Sequence, residues 1–293
     1  MGNVSGMTTL TPHDARRCYN AFNVLHSAFY FSPEHEKELT SLGLEAGAMA
    51  YFAGRAAPMG PVGAGVVTAT FYNFSPSLVA RHIPRAWELA GPADVLAARS
   101  RITDGYLTRM LGSDVAASQQ VAEAAALALR AAEACGSGAR PLYAANADLP
   151  VPDAPHLALW HATTLLREHR GDGHLVALAE AELDGLEALV THTATGKGFT
   201  PRFCQKTRGW SEQEWAAAQE RLRERGLLDA AGELTDAGTE LRRTVEDTTD
   251  RLAFAPYRHL GEEGVARLTE LAAPLTRLLL EAGAIPTRHL GKG

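Results

Sequence analysis

From Ala116 to Cys135 the chain runs through Ala, Leu, Glu and Gln without a Gly or a Pro, and such residues lose little side-chain freedom in a helix. Alternation of apolar and polar residues with period two, the mark of a half-buried strand, is scarce along the whole sequence. A sheet is thereby excluded as the organising layer, and the fold class is mainly α, with room for one small hairpin. With 293 residues, 46% of them hydrophobic and 21% charged, the chain fills the cores of two helical domains. The long helix stops at Gly136-Ser137-Gly138. The segment Pro141 to Pro155 carries four prolines in fifteen residues, which reads as an extended connector because Pro lacks a backbone donor and biases its predecessor away from helix. The expected division is a helical domain at 12–140, a Pro-rich connector at 141–155, and a second domain with C-terminal helices at 156–286. Past the connector, Leu157–His169 has helical apolar spacing, Arg170-Gly171-Asp172-Gly173 reads as a break, and another helix runs from His174 to about Thr195.

Charge and cysteine usage narrow the class of function. The balance of 28 Lys+Arg against 34 Asp+Glu gives a net charge of −6, which argues against a surface that attracts phosphate backbones everywhere; a nucleic-acid role needs a local basic patch. Cys18, Cys135 and Cys204 are odd in number and far apart, so they read as small packed residues and not as a disulfide or metal framework. The start of the chain is polar and no stretch approaches the ~18 apolar residues of a membrane span, so a soluble, cytoplasmic protein without a membrane partner is expected. Gly43-Leu44-Glu45-Ala46 recurs as Gly185-Leu186-Glu187-Ala188, and an aromatic precedes a helix-capping Ser in both Phe74-Ser75 and Trp210-Ser211. Taken as a duplication, these matches make the chain a pseudo-dimer with a cleft between its halves.

The second half has firm helix punctuation. Ser211 with Glu214 forms the pattern of a capping box, apolar spacing continues through Trp215, Ala218 and Leu222, and Arg225-Gly226 ends the helix. Gly232 then turns a short hairpin, and Thr235 caps a helix from Asp236 to about Ala253. The motifs Leu222-x-x-Arg225-Gly226-Leu227, Leu234-Thr235-x-x-Gly238 and Val245-Glu246-x-x-Thr249-Asp250 resemble the recognition helix, wing and following helix of MarR-like winged helix-turn-helix proteins. Over its full length the chain resembles a family of actinobacterial helix-turn-helix proteins of this size, which implies that the second domain, and on the internal repeat also the first, is winged helix; it implies no activity. The pattern departs from a DNA reader. Segment 211–225 holds four Glu against three Arg, its middle is Ala216-Ala217-Ala218, and the wing Asp229–Glu233 has no basic residue. DNA contact would rest on Lys197, Arg202, Lys206 and Arg208 just before this helix.

Aromatics concentrate in the first half, and polar companions make them a candidate ligand box. His26 precedes Tyr30 by one helical turn, Tyr51 and Arg55 share a helix face, and Tyr72, Asn73 and Phe74 follow a Gly/Pro-rich loop. With His161 these residues are the candidate binding set, Arg55 meeting a carboxylate or phosphate and the His and Tyr groups hydrogen-bonding or moving protons. His169, Asp172 and His174, with Glu168, are weaker candidates for zinc or iron, since no i, i+4 histidine pair is present. No cofactor is identified, and no nucleophile elbow, phosphate loop or dinucleotide fingerprint occurs. The expected function is binding of a small aromatic or apolar ligand, for sequestration or sensing, on a winged-helix scaffold. The alternatives are a ligand-responsive repressor, in which a homodimer or the first half supplies the second half-site, and an enzyme using His, Tyr and Arg groups of the same cleft.

Overall fold

The computed structural model describes residues 10–286 and Gly291. Helices α1 (Pro12–Ser27), α2 (Pro33–Ser41), α3 (Ala48–Ala56), α4 (Ala64–Phe71), α5 (Pro76–His82), α6 (Arg85–Leu89), α7 (Pro92–Leu111), α8 (Ser113–Ala116), α9 (Gln119–Ala132) and α10 (Pro141–Ala147) come first. They are followed by α11 (Pro155–Glu180), α12 (Gly185–Ala194), α13 (Pro201–Arg208), α14 (Glu212–Glu224), α15 (Asp236–Leu252) and α16 (Ala255–Glu281). Between α14 and α15, Leu228 and Leu234 form an isolated antiparallel bridge around Gly232, whose φ is +85°. No described helix is long and apolar enough to cross a membrane.

Capping chemistry sets the boundaries of the second half as expected. The Ser211 side chain accepts from Glu214 N while the Glu214 carboxylate accepts from Ser211 N, and the Thr235 hydroxyl accepts from Gly238 N. Proline acts differently from the extended-connector reading. Pro141 and Pro155 are the first residues of α10 and α11, where the missing N–H has no intrahelical partner to lose and the fixed φ is already helical. Leu142, Tyr143 and Asn146 of α10 are buried, so 141–147 is packed helix and the non-helical link shrinks to 148–154.

The expected break at Arg170–Gly173 is also absent: α11 continues through it for 26 residues. Two glycines weaken a helix by roughly 1 kcal/mol each, but here they lie where tertiary contact takes over. A Cβ on Gly173 would stand 2.5 Å from Arg140 Nη1. That close approach lets the Arg140 guanidinium donate to the backbone carbonyls of His169 and Leu252, tying α11 to the end of α15.

The apolar clusters explain why α11 must be continuous. Its first half contributes Trp160, Leu165 and Leu166 to a large core built with α1, α3, α7, α9 and α16. Its last turns contribute Ala177 and Leu178 to a smaller core with α12, Trp215, Ala218 and Leu222 of α14, Leu227 and Val245. These clusters do not follow the two halves of the chain, because α16 returns to the larger one. It bends at Gly261 (φ +80°), receives Arg130 Nη2 on the Leu260 carbonyl at 2.8 Å, and places Arg267 2.7 Å from Glu123 of α9. The repeated tetrapeptide is not structurally equivalent either: Gly43 lies in a turn at φ +92°, whereas Gly185 begins α12.

Gly185 is where α12 meets the first half, for a Cβ there would lie 1.9 Å from the Tyr72 carbonyl oxygen. Gly185→Ala is expected to destabilise the protein by roughly 1–3 kcal/mol, since backbone must move. Gly65→Ala, in open helical space, is expected to stabilise it by about 0.5–1 kcal/mol. Denaturant titration of the two variants checks both signs.

Candidate functional site

The site grows from the polar middle of α11. Glu168 is 2% exposed, a burial that raises the cost of its charge, yet Arg55 Nη2 and Nε reach its carboxylate at 3.0 and 3.4 Å and Arg167 Nη1 at 2.5 Å. Burial alone would push this carboxyl up, but the Arg167 and Arg55 guanidiniums outweigh it and hold Glu168 far below the ordinary carboxylate range. Arg55 is fixed on three sides: by Glu168, by the Phe71 ring 4.5 Å from its guanidinium carbon, and by the Tyr51 hydroxyl, which accepts from Nη1 at 3.3 Å. Two residues after Glu168 on α11, Arg170 pairs with Asp250 at 2.7 Å and Glu246 at 3.3 Å of α15, over the Tyr19 ring.

A cleft opens between this charged floor and α13. One lobe, about 340 Å³, is lined by Arg55, Arg167, Arg170, Arg208, Tyr51 and Glu246 among others. A second, about 470 Å³, is more apolar and is walled by Tyr30, Phe31, Tyr51, Phe74, Phe199 and Phe203, again with Arg167 and Arg208. The two lobes share Tyr51, Phe74, Arg167 and Arg208. Ring packing holds the walls: Tyr51 lies 5.2 Å from Tyr30 and 5.4 Å from Phe74, and Phe199 lies 4.7 Å from Phe203. Burial opposes ionisation of Tyr51, but Arg55, Arg208 and Arg167 together draw its phenol below its usual value. Tyr30, with burial dominant, is pushed up to about 12.

Arg208 differs from the other cations of the cleft. Its guanidinium stacks 4.6 Å from Phe74 and donates from Nη1 to Thr207, its Nε has no hydrogen-bond partner, and it joins no ion pair among the described residues. The same turn is stitched to the first half, with Ser75 N donating to the Arg208 carbonyl at 2.8 Å and Trp210 Nε1 to the Asn73 carbonyl at 3.0 Å. Arg55 and Arg167 share the single carboxylate of Glu168, and Arg170 pairs with Asp250 and Glu246, whereas Arg208 has no carboxylate partner among the described residues.

The structure brings Tyr30, Tyr51, Arg55, Asn73 and Phe74 to this cleft and separates the rest of the expected binding set. His26 is fully buried, bonded at 2.8 Å to the Thr164 hydroxyl and stacked on Trp160. Tyr72 donates to the Leu183 carbonyl and packs on the smaller core. His161 lines a different cavity. Arg167, Arg170 and Arg208 were not among the expected ligand contacts; the signal for the first two was an ionisable run inside an otherwise apolar helix, Arg167-Glu168-His169-Arg170.

The metal candidates go to separate partners. Asp172 accepts from Leu142 N and Tyr143 N, capping α10, His174 bonds the Thr249 hydroxyl, and His169 packs edge-on against Tyr143. Among the described residues no group of three His, Cys, Asp or Glu side chains is placed to hold a metal ion.

On the outer surface, Glu212, Gln213, Ala216, Ala217 and Glu220 form the exposed face of α14. Its arginines are engaged: Arg221 with Asp184 and Glu187, Arg225 with Glu187, and Arg223 with Glu220. Lys197, Arg202 and Lys206 are exposed, whereas Arg208 is turned into the cleft.

Compared with known proteins, residues 15–286 match the model of a helix-turn-helix family. No curated protein and no solved structure matches the chain.

Acid should destabilise the fold through its buried histidines. Burial lowers His35, His161, His169 and His174 to about 4, whereas an unfolded histidine titrates near ~6.5. Between those values the unfolded chain binds protons that the folded chain refuses, so stability falls as pH drops, by up to about 1.4 kcal/mol per histidine per pH unit. Asp172, pushed up to about 6 chiefly by burial, acts with the opposite sign over the same window, one group against these four and the likewise lowered His26, His82 and His192. The denaturant midpoint is expected to be lower at pH 5 than at pH 7; an unchanged or higher midpoint contradicts the burial of these imidazoles.

Proposed function

The chain belongs to the helix-turn-helix family, and on that premise we propose that it binds a small ligand with an apolar body and one anionic group between its larger core and the α13–α14 unit. The observation that carries this reading is Arg208: a cation on an aromatic wall, with an unpartnered Nε and no carboxylate partner among the described residues. Aromatic side chains supply contact area at low entropic cost, and a guanidinium fixes the orientation of a carboxylate or phosphate. Arg55, which the sequence suggested for that task, is occupied by Glu168 and acts as part of the floor.

In this reading α12–α15 with the Leu228–Leu234 hairpin form a MarR-like winged helix-turn-helix, and the paired halves form a pseudo-dimer around the cleft. The order of helix, helix, turn, helix and hairpin supports the first part; the N-cap positions of Ser75 and Ser211 support the second at that one place. Ligand bound against Arg208 touches the attachment of α13 to the first half, so occupancy is coupled to how that unit is held, which suits sensing as well as sequestration.

A second reading, a DNA-binding regulator with the ligand as effector, is favoured by the family itself and by the exposed Lys197, Arg202 and Lys206. The acidic outer face of α14 weighs against it, since carboxylates repel the backbone that the basic residues would attract.

Calorimetric titration with 2-naphthoate, and with 2-naphthol as the neutral control, tests the cleft. Naphthoate is expected to bind the more tightly, and Arg208→Ala to weaken it roughly tenfold or more. Equal affinity in the variant removes the proposed role of Arg208. In parallel, anisotropy with a random duplex at several salt concentrations is expected to show weak binding; tight binding whose salt slope drops by about 1 in Lys206→Ala supports the regulator instead.

A further inference from the structure

Arg99, on the inner face of α7, is 6% exposed and has no carboxylate within ion-pair distance among the described residues. Its contacts are weak for a buried cation: Nη2 reaches the Asn146 side-chain oxygen at 3.2 Å, and the guanidinium carbon lies 5.3 Å from the Trp160 ring centroid. Nη1 has no hydrogen-bond partner. Trp160 is 7% exposed, and its indole Nε1 has none either. Burial of an uncompensated charge and of an unmade donor are each costly, and the two side chains that carry them line one cavity.

That cavity, of about 320 Å³, is separate from the cleft and shares no lining residue with it. The volume is near the lower end of the ~300–1,000 Å³ usual for small-molecule sites. Leu96, Leu157 and the Pro150-Val151-Pro152 segment between α10 and α11 make its apolar wall, and Arg99, Trp160 and His161 supply the polar side. The prolines have no N–H to offer a ligand, and His161 is held neutral at physiological pH because burial and the nearby Arg99 lower it to about 4. Ser100 and Thr103 add hydroxyls to the lining, but the two unpartnered atoms, Arg99 Nη1 and Trp160 Nε1, are both donors, and one of them carries the charge. What complements them brings acceptor oxygens, a single negative charge and an apolar tail.

We propose that the cavity between α7, the 149–152 segment and α11 is a second ligand site, for a small apolar monocarboxylate whose oxygens pair with Arg99 and the Trp160 indole N–H. Arg99 provides a planar fork suited to two carboxylate oxygens, and Leu96, Val151 and Leu157 take the tail. The site does not rest on the cleft or on Arg208, and either can fail without the other.

The test is calorimetric titration of the whole chain with hexanoate, and with hexanol as its uncharged counterpart. Hexanoate is expected to bind one to one and hexanol far more weakly. Arg99→Met should cut hexanoate affinity roughly thirty-fold or more, the loss expected when one partner of a buried charge pair is removed. Val151→Trp, at a residue 48% exposed on the rim, keeps Arg99 in place and should also weaken binding by filling the entrance. If Arg99→Met does not fold, the rim variant decides alone. No hexanoate binding at millimolar concentration, equal affinity for hexanol, or affinity unchanged in either folded variant overturns the proposal.

Discussion

A carboxylate as buried as Glu168 stays ionised only when cations are brought to it, and that requirement organises the molecule. Arg55 comes from α3 and Arg167 from α11 itself, and together they clamp the acid from two sides. Arg55 is in turn pressed on Phe71 and Tyr51, so the position of α4 and of the aromatic wall follows from the same pair. Buried ion pairs add little net stability compared with an apolar substitute, whereas loss of one partner costs about 3–5 kcal/mol. Their contribution here is to geometry. The charged section of α11 lies between its contribution to the large core and its contribution to the small one, and the helix holds both cores on one axis.

How far the fold was legible in the sequence depends on whether the deciding interaction is local. Ser211 with Glu214, and Thr235 with Gly238, act within three residues, and the helices they start lie within a residue or two of expectation. Arg170–Gly173 was read as a break because its two glycines weaken a helix locally; what overrides that weakness is an arginine some thirty residues earlier in the chain, Arg140, folded against Gly173. The prolines at 141 and 155 are ambiguous for a related reason. The same ring that disfavours a helix interior favours a helix start, and only packing of Leu142 and Tyr143 decides between the two.

The candidate site was legible in half. Tyr51 and Arg55 are brought together by a spacing of four on α3, which a sequence displays directly. Arg208 reads as one of a run of surface cations until its direction is known, and the stack on Phe74 crosses well over a hundred residues of chain. The same applies to the electrostatics of the helix-turn-helix unit. In the sequence the arginines of segment 211–225 are already outnumbered by its glutamates, and in the structure Asp184 and Glu187 at the start of α12 occupy two of them. The face that α14 leaves outward, Glu212, Gln213, Ala216, Ala217 and Glu220, is acidic and small, while the exposed cations Lys197, Arg202 and Lys206 precede it in the chain.

The return of α16 to the larger core has a temporal side. That core is assembled from both ends of the described chain, since α1 packs on α16 and the Thr276 hydroxyl donates to the Ala21 carbonyl. The small core, by contrast, is complete by Val245. On a ribosome, where domains form as their residues emerge, the unit made of α12 to α15 can settle first, although it is the later part of the molecule. The helices before it wait with their inner faces uncovered until the last one is released. Among the described residues, no lining residue of the cleft and no member of the Glu168 clamp lies on α16, so what the closing of the chain on itself supplies late is their backing and not their walls.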